Sequence, residues 1–261
     1  MKDKSLLRGT ALVTGGTSGM GYWFAKQLAE RGLDLVLVAR NQERLELVAE
    51  ELRTTAAVSC EIIAADLTVP ADFARVKARL MATENPVTVF VNNAGAGLYT
   101  RIAVPDATEF RHAAELMALA PMELGGAAAS QMKERGSGVI INTCSVASYA
   151  PMGAYGSIKA FLTNWSDSLS VEVEDSGVQV VTFQPSWVHT EFHARTGVSN
   201  SSIPDWVWLD AETVVAQCLR DVERGKTLAV PDKHKILVFL ARVLPKPLVR
   251  KAVKKLNKGR R

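Results

Sequence analysis

The chain has 261 residues, of which 48% are hydrophobic and 22% charged. This balance is typical of a globular protein with enough apolar residues for a sizeable core. No apolar run reaches the roughly 18 residues that a membrane-spanning helix needs, and the short, charged N-terminus lacks the pattern of a secretion signal. The widely spaced cysteines Cys60, Cys144 and Cys218 argue against a disulfide framework. We therefore expect a cytoplasmic protein, and no metal site, because the four histidines form no ligand-spaced cluster with these cysteines.

The net charge of +4 is unevenly distributed along the chain. Eight of the 31 basic residues lie between Lys246 and the C-terminal end, where no acidic residue occurs. The rest of the chain then holds 23 basic and 27 acidic residues, a net charge of about −4. The basic character therefore belongs to the tail. Without aromatic interleaving or a recognition fold, nucleic-acid binding is not expected.

Apolar segments of strand length alternate with segments of helical period along most of the chain. The predicted strands are Thr10–Thr14, Leu33–Ala39, Ser59–Ala64, Val87–Val91, Gly138–Thr143, Val178–Phe183 and a weaker one near Leu228–Val230. The predicted helices are Met20–Arg31, Asn41–Thr54, Pro70–Thr83, Asp106–Arg135, Gly153–Asp175 and Ala211–Arg224.

Several of the predicted strands are continuously apolar, which indicates a parallel sheet covered by helices on both faces. Regular alternation with right-handed crossovers predicts an α/β fold with one doubly wound sheet of about seven strands. We assign residues 1–232 to this domain and residues 233–261 to a basic amphipathic tail.

A glycine-rich turn follows the first strand, with the pattern T-G-x-x-x-G-x-G from Thr14 to Gly21. Glycines allow a tight turn and a close approach of the backbone to a pyrophosphate, and the N-terminus of the following helix attracts phosphate charge. An ordinary strand-to-helix turn is the alternative. The candidate cofactor-binding residues here are Gly15, Thr17, Ser18, Gly19, Met20 and Gly21.

Arg40 stands at the end of the second strand, where a nucleotide fold meets the adenosine ribose. An acidic residue at this position favours the free 2′-hydroxyl of NAD(H), whereas an Arg accommodates the 2′-phosphate of NADP(H). A solvated Arg at the start of a helix is the alternative. The sequence therefore favours NADP(H) over NAD(H).

Together with the motifs that follow, these residues resemble the single-domain, Rossmann-type branch of the short-chain dehydrogenase/reductase family. The similarity extends from Thr10 to about Val230. Each motif follows a strand, at the sheet edge where ligands bind in open α/β folds. The motifs comprise Asp66-Leu67, Asn92-Asn93-Ala94-Gly95, Ser145, Tyr155 with Lys159, and Pro185 to Thr190 including Val188.

The resemblance implies a role for most of these residues. Asp66 would reach the adenine, and the turn at Asn93 would form the wall behind the cofactor. Thr190 would meet the nicotinamide carboxamide or the phosphates. Lys159 would hold the nicotinamide ribose hydroxyls, and Ser145 would donate a hydrogen bond to the substrate oxygen. The family also commonly forms dimers or tetramers.

Tyr155 and Lys159 are four residues apart on a predicted helix and therefore share one face. A tyrosine with a pKa near 10 is a poor base at neutral pH, but a neighbouring ammonium stabilises its phenolate. The pair thus predicts proton exchange with an alcohol or carbonyl oxygen. We expect an NADP(H)-dependent oxidoreductase that interconverts a carbonyl and a secondary alcohol, with Tyr155 as general acid and base.

The sequence departs from the family pattern at three positions. Ser145 precedes Tyr155 by ten residues instead of about 13, which suggests a shortened loop and leaves Ser148 as a rival. Met117 stands where the family has an asparagine that anchors a proton-relay water, and Ser186 replaces a glycine. Met117 either packs in the core or marks a nucleotide-binding protein with weak or no turnover, acting as a regulator or a membrane-surface partner.

Two further segments concern the substrate and the membrane. The predicted substrate cover, Ser186–Asp210, holds Trp187, Phe192, Trp206 and Trp208, with Tyr99 and Tyr149 on other loops of the same face. These rings predict a lipophilic substrate, unless they only fix the cover to the body. The tail could lie on an anionic membrane surface or pack on this subunit or a partner subunit.

Overall fold

In the computed structural model, the described residues are 6–98, 101–190 and 207–258. Their strands are β1 (Thr10–Thr14), β2 (Asp34–Ala39), β3 (Cys60–Ala64), β4 (Val87–Asn92), β5 (Gly138–Thr143), β6 (Val178–Phe183), β7 (Val188–His189), β8 (Leu209–Asp210) and β9 (Leu228–Ala229). Seven of them form one parallel sheet in the order β3-β2-β1-β4-β5-β6-β9, and β7 pairs with β8. The predicted doubly wound sheet of about seven strands is confirmed.

The helices follow the strands in regular alternation. They are α1 (Gly19–Ala29), α2 (Gln42–Ala56), α3 (Pro70–Met81), α4 (Thr108–Ala114), α5 (Ala120–Arg135), α6 (Gly153–Glu172), α7 (Ala211–Glu223), α8 (Lys235–Val243) and α9 (Lys246–Lys258). Most boundaries lie within two residues of those predicted, because capping and glycine positions fix where a helix can begin and end.

The sheet buries side chains on both faces, as its continuous apolar strands predict. Along β2, Leu35 and Leu37 enter one apolar cluster, whereas Val36 and Val38 enter another. Alternate residues of a strand point to opposite faces, so a continuous apolar strand fills two cores at once. The helices on each face are thereby fixed relative to the carboxyl edge of the sheet.

The predicted helix Asp106–Arg135 is interrupted, which corrects the expectation of one continuous α-helix. Residues Glu115–Leu119 form a π-helical turn between α4 and α5, and the backbone N–H of Ala120 donates to the carbonyl of Glu115. Pro121 explains the break, because in a continuous α-helix its ring would clash with the carbonyl of Met117. The wider turn places Met117 under the site described below.

The tail forms two helices joined at Leu244 and Pro245. The residue before a proline is driven from helical to extended backbone, and Leu244 has a ψ of 142°. Val238 of α8 is buried, and the guanidinium of Arg242 lies 5.3 Å from the ring centre of Tyr149. Within the part of the chain that the structure describes, no helix has both the length and the apolar character needed to cross a bilayer.

Candidate active site

The carboxyl ends of β1 and β4 are joined through the hydroxyl of Thr14. Its Oγ1 accepts hydrogen bonds from the backbone N–H groups of Asn93 (2.9 Å) and Ala94 (3.0 Å). The side-chain amide of Asn93 donates in return to the carbonyl of Thr14 at 3.0 Å. The crossovers of the sheet run in opposite directions from these two strands, so a crevice opens between their ends. The motif residues after β1 and β4 therefore face one cleft.

The glycine-rich turn lies on the wall of this cleft. Gly15 has a φ of +68°, and a Cβ atom there would lie 3.1 Å from the side-chain nitrogen of Asn93. A Cβ atom on Gly21 would lie 2.0 Å from the carbonyl oxygen of Gly15, so only glycine lets α1 approach the turn. Ser18 caps α1 without a side-chain hydrogen bond, and the first turn of α1 holds no acidic residue. The free N–H groups and the dipole there suit a phosphate.

Thr190 lies beside the start of α1, although 171 residues separate it from Gly19 in the chain. A Cβ atom on Gly19 would lie 3.1 Å from the Cβ of Thr190. Val188 is buried and holds this segment down through the pairing of β7 with β8. The structure thus brings together the glycine turn, the Asn93 turn and the segment after β6, as their shared edge of the sheet predicts.

Arg40 and Asp66 form the far end of the cleft. Arg40 is exposed, and its Nη1 lies 3.9 Å from the Asp66 carboxylate. Burial alone would raise the pKa of Asp66, but hydrogen bonds from Thr68 and the charge of Arg40 outweigh it and lower this pKa. Asp66 is therefore a carboxylate at neutral pH, and its neighbour Leu67 is buried. The exposed guanidinium of Arg40 has room to contact an anion.

Lys159 lies in the first half of α6 and is almost completely buried. Its Nζ donates a hydrogen bond to the carbonyl of Thr143 at 2.8 Å and lies 5.9 Å from the ring centre of Tyr155. Among the described residues no carboxylate pairs with it. Burial lowers the pKa of Lys159 to about 8, because the charged form loses its hydration. Tyr155 itself is half-buried.

Ser145 is nearly buried and follows β5 by two residues. It caps the 3-10 helix Val146–Tyr149, where its Oγ accepts the backbone N–H of Ala147 at 3.2 Å. The rival Ser148 instead donates its hydroxyl to the carbonyl of Ser145 at 2.7 Å. The Ser145 hydroxyl can still donate its proton, whereas the Ser148 proton is engaged within the loop.

Gly156 sets the distance between α6 and this loop. A Cβ atom on Gly156 would lie 3.1 Å from the carbonyl oxygen of Ala147 and 3.0 Å from the Cβ of Met152. Any larger residue would push the first turn of α6, and with it Tyr155, away from the Ser145 loop. Sequence reasoning did not single out Gly156, and the only trace it left was a glycine directly after the tyrosine.

Two buried hydroxyl groups at the carboxyl edge have no hydrogen-bond partner among the described residues. They are Thr143 Oγ1 at the end of β5 and Ser186 Oγ after β6, directly following the buried Pro185. An unpaired buried hydroxyl costs free energy unless a ligand or water completes it. Both follow or end neighbouring strands, β5 and β6, at the carboxyl edge of the sheet, where a polar ligand could complete them.

Met117 occupies the position of the asparagine expected from the family pattern. It is fully buried, and its sulfur lies 3.4 Å from the backbone nitrogen of Ala96, which donates to it. The same sulfur would lie 3.4 Å from a Cβ atom on Gly95. A flexible, polarizable side chain suits this irregular space between the π-helical turn and the Asn93 turn. Met117 therefore packs in the core.

The substrate cover is described only in part. Tyr99, Phe192 and Trp206 lie outside the described residues. Trp208 stacks on His189 with ring centres 4.8 Å apart, and Tyr149 is half-buried beside Arg242. These two aromatic residues fix neighbouring segments of the protein at the described edges of the cleft.

Cys144 stands between Thr143 and Ser145 without taking part in the arrangement. It is fully buried, and burial raises the pKa of its thiol to about 12. A thiol at that pKa is protonated at neutral pH and is a poor nucleophile. The chemistry that the site can perform is therefore proton exchange through hydroxyl and ammonium groups.

Comparison with known proteins identifies the class to which the fold and this site belong. The sequence profile of the family described as short chain dehydrogenase matches residues 9–199. The chain belongs to this family of oxidoreductases, which confirms the resemblance drawn from the motifs.

Two solved structures are similar over most of their length. A short-chain dehydrogenase from Sphingobium yanoikuyae in complex with NADPH is 31% identical, with a TM-score of 0.83 and coverage of 96% of this chain and 94% of that one. The bulky-bulky ketone specific alcohol dehydrogenase from Comamonas testosteroni is 29% identical, with a TM-score of 0.78 and coverage of 96% and 92%.

A curated relative, the very-long-chain 3-oxoacyl-CoA reductase of Meyerozyma guilliermondii, is 30% identical over 228 residues. The match covers 82% of this chain and 64% of the relative. The protein of the same name from Schizosaccharomyces pombe is 35% identical, with 66% of this chain and 54% of the relative covered. The chain therefore spans less than two thirds of the length of these two relatives.

Lys159 gives a prediction about stability and pH. Because burial lowers its pKa from 10.5 to about 8, the folded protein releases this proton at a lower pH than the unfolded chain does. The free energy of unfolding should then rise between about pH 8 and pH 10.5, by about 3 kcal/mol in cofactor-free protein. Urea denaturation at both ends of this pH range should show this rise in the free energy of unfolding for the wild type. Lys159→Met should not show it, because it lacks the ammonium.

Lys133→Met provides the matched control, because Lys133 is a half-exposed lysine on α5. The free energy of unfolding of Lys133→Met should change with pH in the same way as that of the wild type. If the free energy of unfolding of Lys159→Met also changed with pH as that of the wild type does, Lys159 would not be a desolvated ammonium.

Proposed function

We propose that this protein is an NADP(H)-dependent oxidoreductase that interconverts a lipophilic ketone and its secondary alcohol. One observation carries the proposal, namely the buried ammonium of Lys159, which lies beside the Tyr155 ring and has no carboxylate partner in the described part of the chain. A buried charge without a counterion is costly, and such groups concentrate at functional sites.

Tyr155 acts as the general acid in reduction and as the general base in oxidation. The positive charge of Lys159 stabilises the phenolate form, and the low dielectric of the buried site strengthens this effect. The hydrogen bond from Lys159 to the Thr143 carbonyl fixes the ammonium at 2.8 Å from the strand end. Because β5 is rigid, the charge stays in place while the proton moves at the phenolic oxygen.

Ser145 donates a hydrogen bond to the substrate oxygen and so polarises the carbonyl. Its Oγ is held by the backbone N–H of Ala147, which leaves the hydroxyl proton for the substrate. Ser148 is less suited, since its proton already goes to the Ser145 carbonyl. The close approach allowed by Gly156 keeps Ser145 and Tyr155 on one side of the cleft.

The cofactor site extends from Arg40 to the unpaired hydroxyls of Thr143 and Ser186. Gly15 and Gly21 let the turn pack closely on Asn93 and α1, and the free N–H groups at the start of α1 would hold the pyrophosphate. A nicotinamide cofactor supplies or accepts the hydride in this chemistry. Because its guanidinium is exposed, Arg40 suits a 2′-phosphate, and the NADPH complex of the Sphingobium relative supports this choice.

A lipophilic substrate agrees with the names of the similar proteins. One acts on bulky ketones and another reduces very-long-chain 3-oxoacyl-CoA. In both classes the reacting group is a carbonyl, carried by bulky groups in one and by a very long chain in the other. The aromatic residues around the described edges of the cleft, Tyr149 and Trp208, provide apolar contact area with polar tips.

The proton role of Tyr155 is tested by Tyr155→Phe, which removes the hydroxyl and keeps the ring. We expect kcat/KM for reduction of a bulky aromatic ketone by NADPH to fall by about 100-fold to 10,000-fold. Quenching of protein fluorescence by NADPH should be retained. The control is Tyr22→Phe, a tyrosine on α1 that donates to Glu51 at 2.6 Å and should leave kcat/KM unchanged. Unchanged turnover in Tyr155→Phe would exclude the mechanism and favour a nucleotide-binding protein without turnover.

The two serines of the loop are separated by alanine substitution in the same assay. Ser145→Ala removes the hydrogen bond to the substrate oxygen and should lower kcat/KM by about 100-fold, as expected for a preorganised donor. Ser148→Ala should cost less than about tenfold, because its hydroxyl serves the loop. The reverse order of effects would assign the substrate contact to Ser148.

The cofactor preference is tested at Arg40. Arg40→Ala removes a charge-assisted contact worth about 1.5–3 kcal/mol, so kcat/KM for NADPH should fall by about 10-fold to 150-fold. The value for NADH should change little, because NADH lacks the 2′-phosphate. Lys77→Ala, a change at a half-exposed cation on α3 that pairs with Glu123, serves as the charge control. Equal losses with both cofactors would contradict the assignment.

A further inference from the structure

The first helix of the tail, α8, turns an apolar stripe toward solvent. Ile236, Phe239, Leu240 and Val243 follow the spacing i, i+3, i+4, i+7 and therefore share one face. Their exposed fractions are 73%, 63%, 41% and 56%. A surface helix normally buries such a stripe against the core, whereas α8 exposes it.

The opposite face of α8 is already packed on the body of the protein. Val238 is 4% exposed, and Arg242, one turn later, lies over the Tyr149 ring. In α9, Val253 is 9% exposed and anchors the second helix. The stripe is exposed even though the tail is packed on the body of the protein. It is the second apolar face of a helix whose first face is satisfied.

The stripe continues into the following turn and helix through Leu244 and Leu248, which are 39% and 53% exposed. We call these six residues, from Ile236 to Leu248, the tail surface. Elsewhere in the described chain, exposed large apolar residues such as Leu47 and Val171 are spread over different helices. A contiguous exposed apolar patch marks an interaction surface, whereas scattered residues do not.

The charge around the tail surface indicates the kind of partner. No acidic residue follows Asp232, and α9 exposes several cations beside the patch, namely Lys246, Arg250, Lys251 and Lys254. A symmetric pairing of two copies through this surface would bring two identical cationic tails together. An anionic lipid surface instead offers an apolar layer for the stripe and negative headgroups for the cations.

We propose that the tail surface docks on an anionic membrane, with the α8 stripe inserted at the headgroup boundary and the α9 cations against the lipid charges. The packed face of α8 contacts Tyr149, in the 3-10 helix that Ser145 caps. The docked membrane would then lie about one helix diameter, roughly 10 Å, from this loop. If the protein has the function proposed above, a lipophilic substrate dissolved in the membrane is close to the cleft.

Vesicle flotation of the full-length chain tests the proposal. Wild-type protein should float with vesicles of phosphatidylcholine mixed with phosphatidylserine and should not float with phosphatidylcholine alone. Each basic residue near an anionic surface contributes about fivefold in affinity, so Lys246→Glu, Arg250→Glu and Lys251→Glu combined should weaken binding by about 100-fold or more. Phe239→Ser with Leu240→Ser should also abolish flotation, because it removes the inserted stripe.

The matched control is Leu47→Ser with Val171→Ser, which also replaces two exposed apolar residues by serine, here on α2 and α6, where they are 72% and 73% exposed. This control should float like the wild type, and circular dichroism should show that every variant is folded.

The proposal is overturned if the wild type stays with the soluble fraction, or if the stripe variant floats as well as the wild type. A dimer that the stripe variant converts to a monomer, with no flotation of the wild type, would identify an interface between copies instead. Flotation does not depend on turnover, so its result stands apart from that of Tyr155→Phe.

Discussion

Thr14 joins two strands from which the chain winds in opposite directions. Its hydroxyl accepts the N–H groups of Asn93 and Ala94, and its carbonyl accepts the amide of Asn93. These bonds hold the turn after β4 against the turn after β1, and the cleft exists because helices leave its two sides on opposite faces of the sheet. The close contact between Gly15 and Asn93 and the approach of α1 depend on the same junction. The residues that we propose to bind the cofactor lie around this junction.

The site also depends on the position of a single positive charge, the ammonium of Lys159. Within the described residues Lys159 is buried without a carboxylate partner, and its Nζ donates to the Thr143 carbonyl at the end of a central strand. Such a charge costs folding free energy, and groups of this kind concentrate at functional sites. Met117, which stands in place of the expected asparagine, is fully buried. Its sulfur fills the space beside the Asn93 turn, and the π-helical turn that carries it follows from Pro121.

The tail shows features of both interpretations that the sequence presents as alternatives. One face of α8 packs on the body through Val238 and Arg242, which is the packing interpretation. The other face, with the cations of α9, has the composition of a membrane surface helix. A helix has enough circumference for both, because a buried stripe and an inserted stripe each need only a part of it. The sharp end of α8 at Leu244, imposed by Pro245, separates the apolar part from the basic part.

The sequence by itself determined the seven-stranded sheet and the set of motif residues along its edge. Strand and helix periods are local properties, and parallel strands place their carboxyl ends at one edge whatever fills the space between them. Only the tertiary structure decided how these residues meet. That Gly19 touches Thr190, that Gly156 lets α6 approach the Ser145 loop, and that α8 keeps an outward apolar stripe all depend on packing between distant segments. The sequence around one residue does not specify such contacts. They depend on how closely helices and loops from distant parts of the chain pack on the sheet.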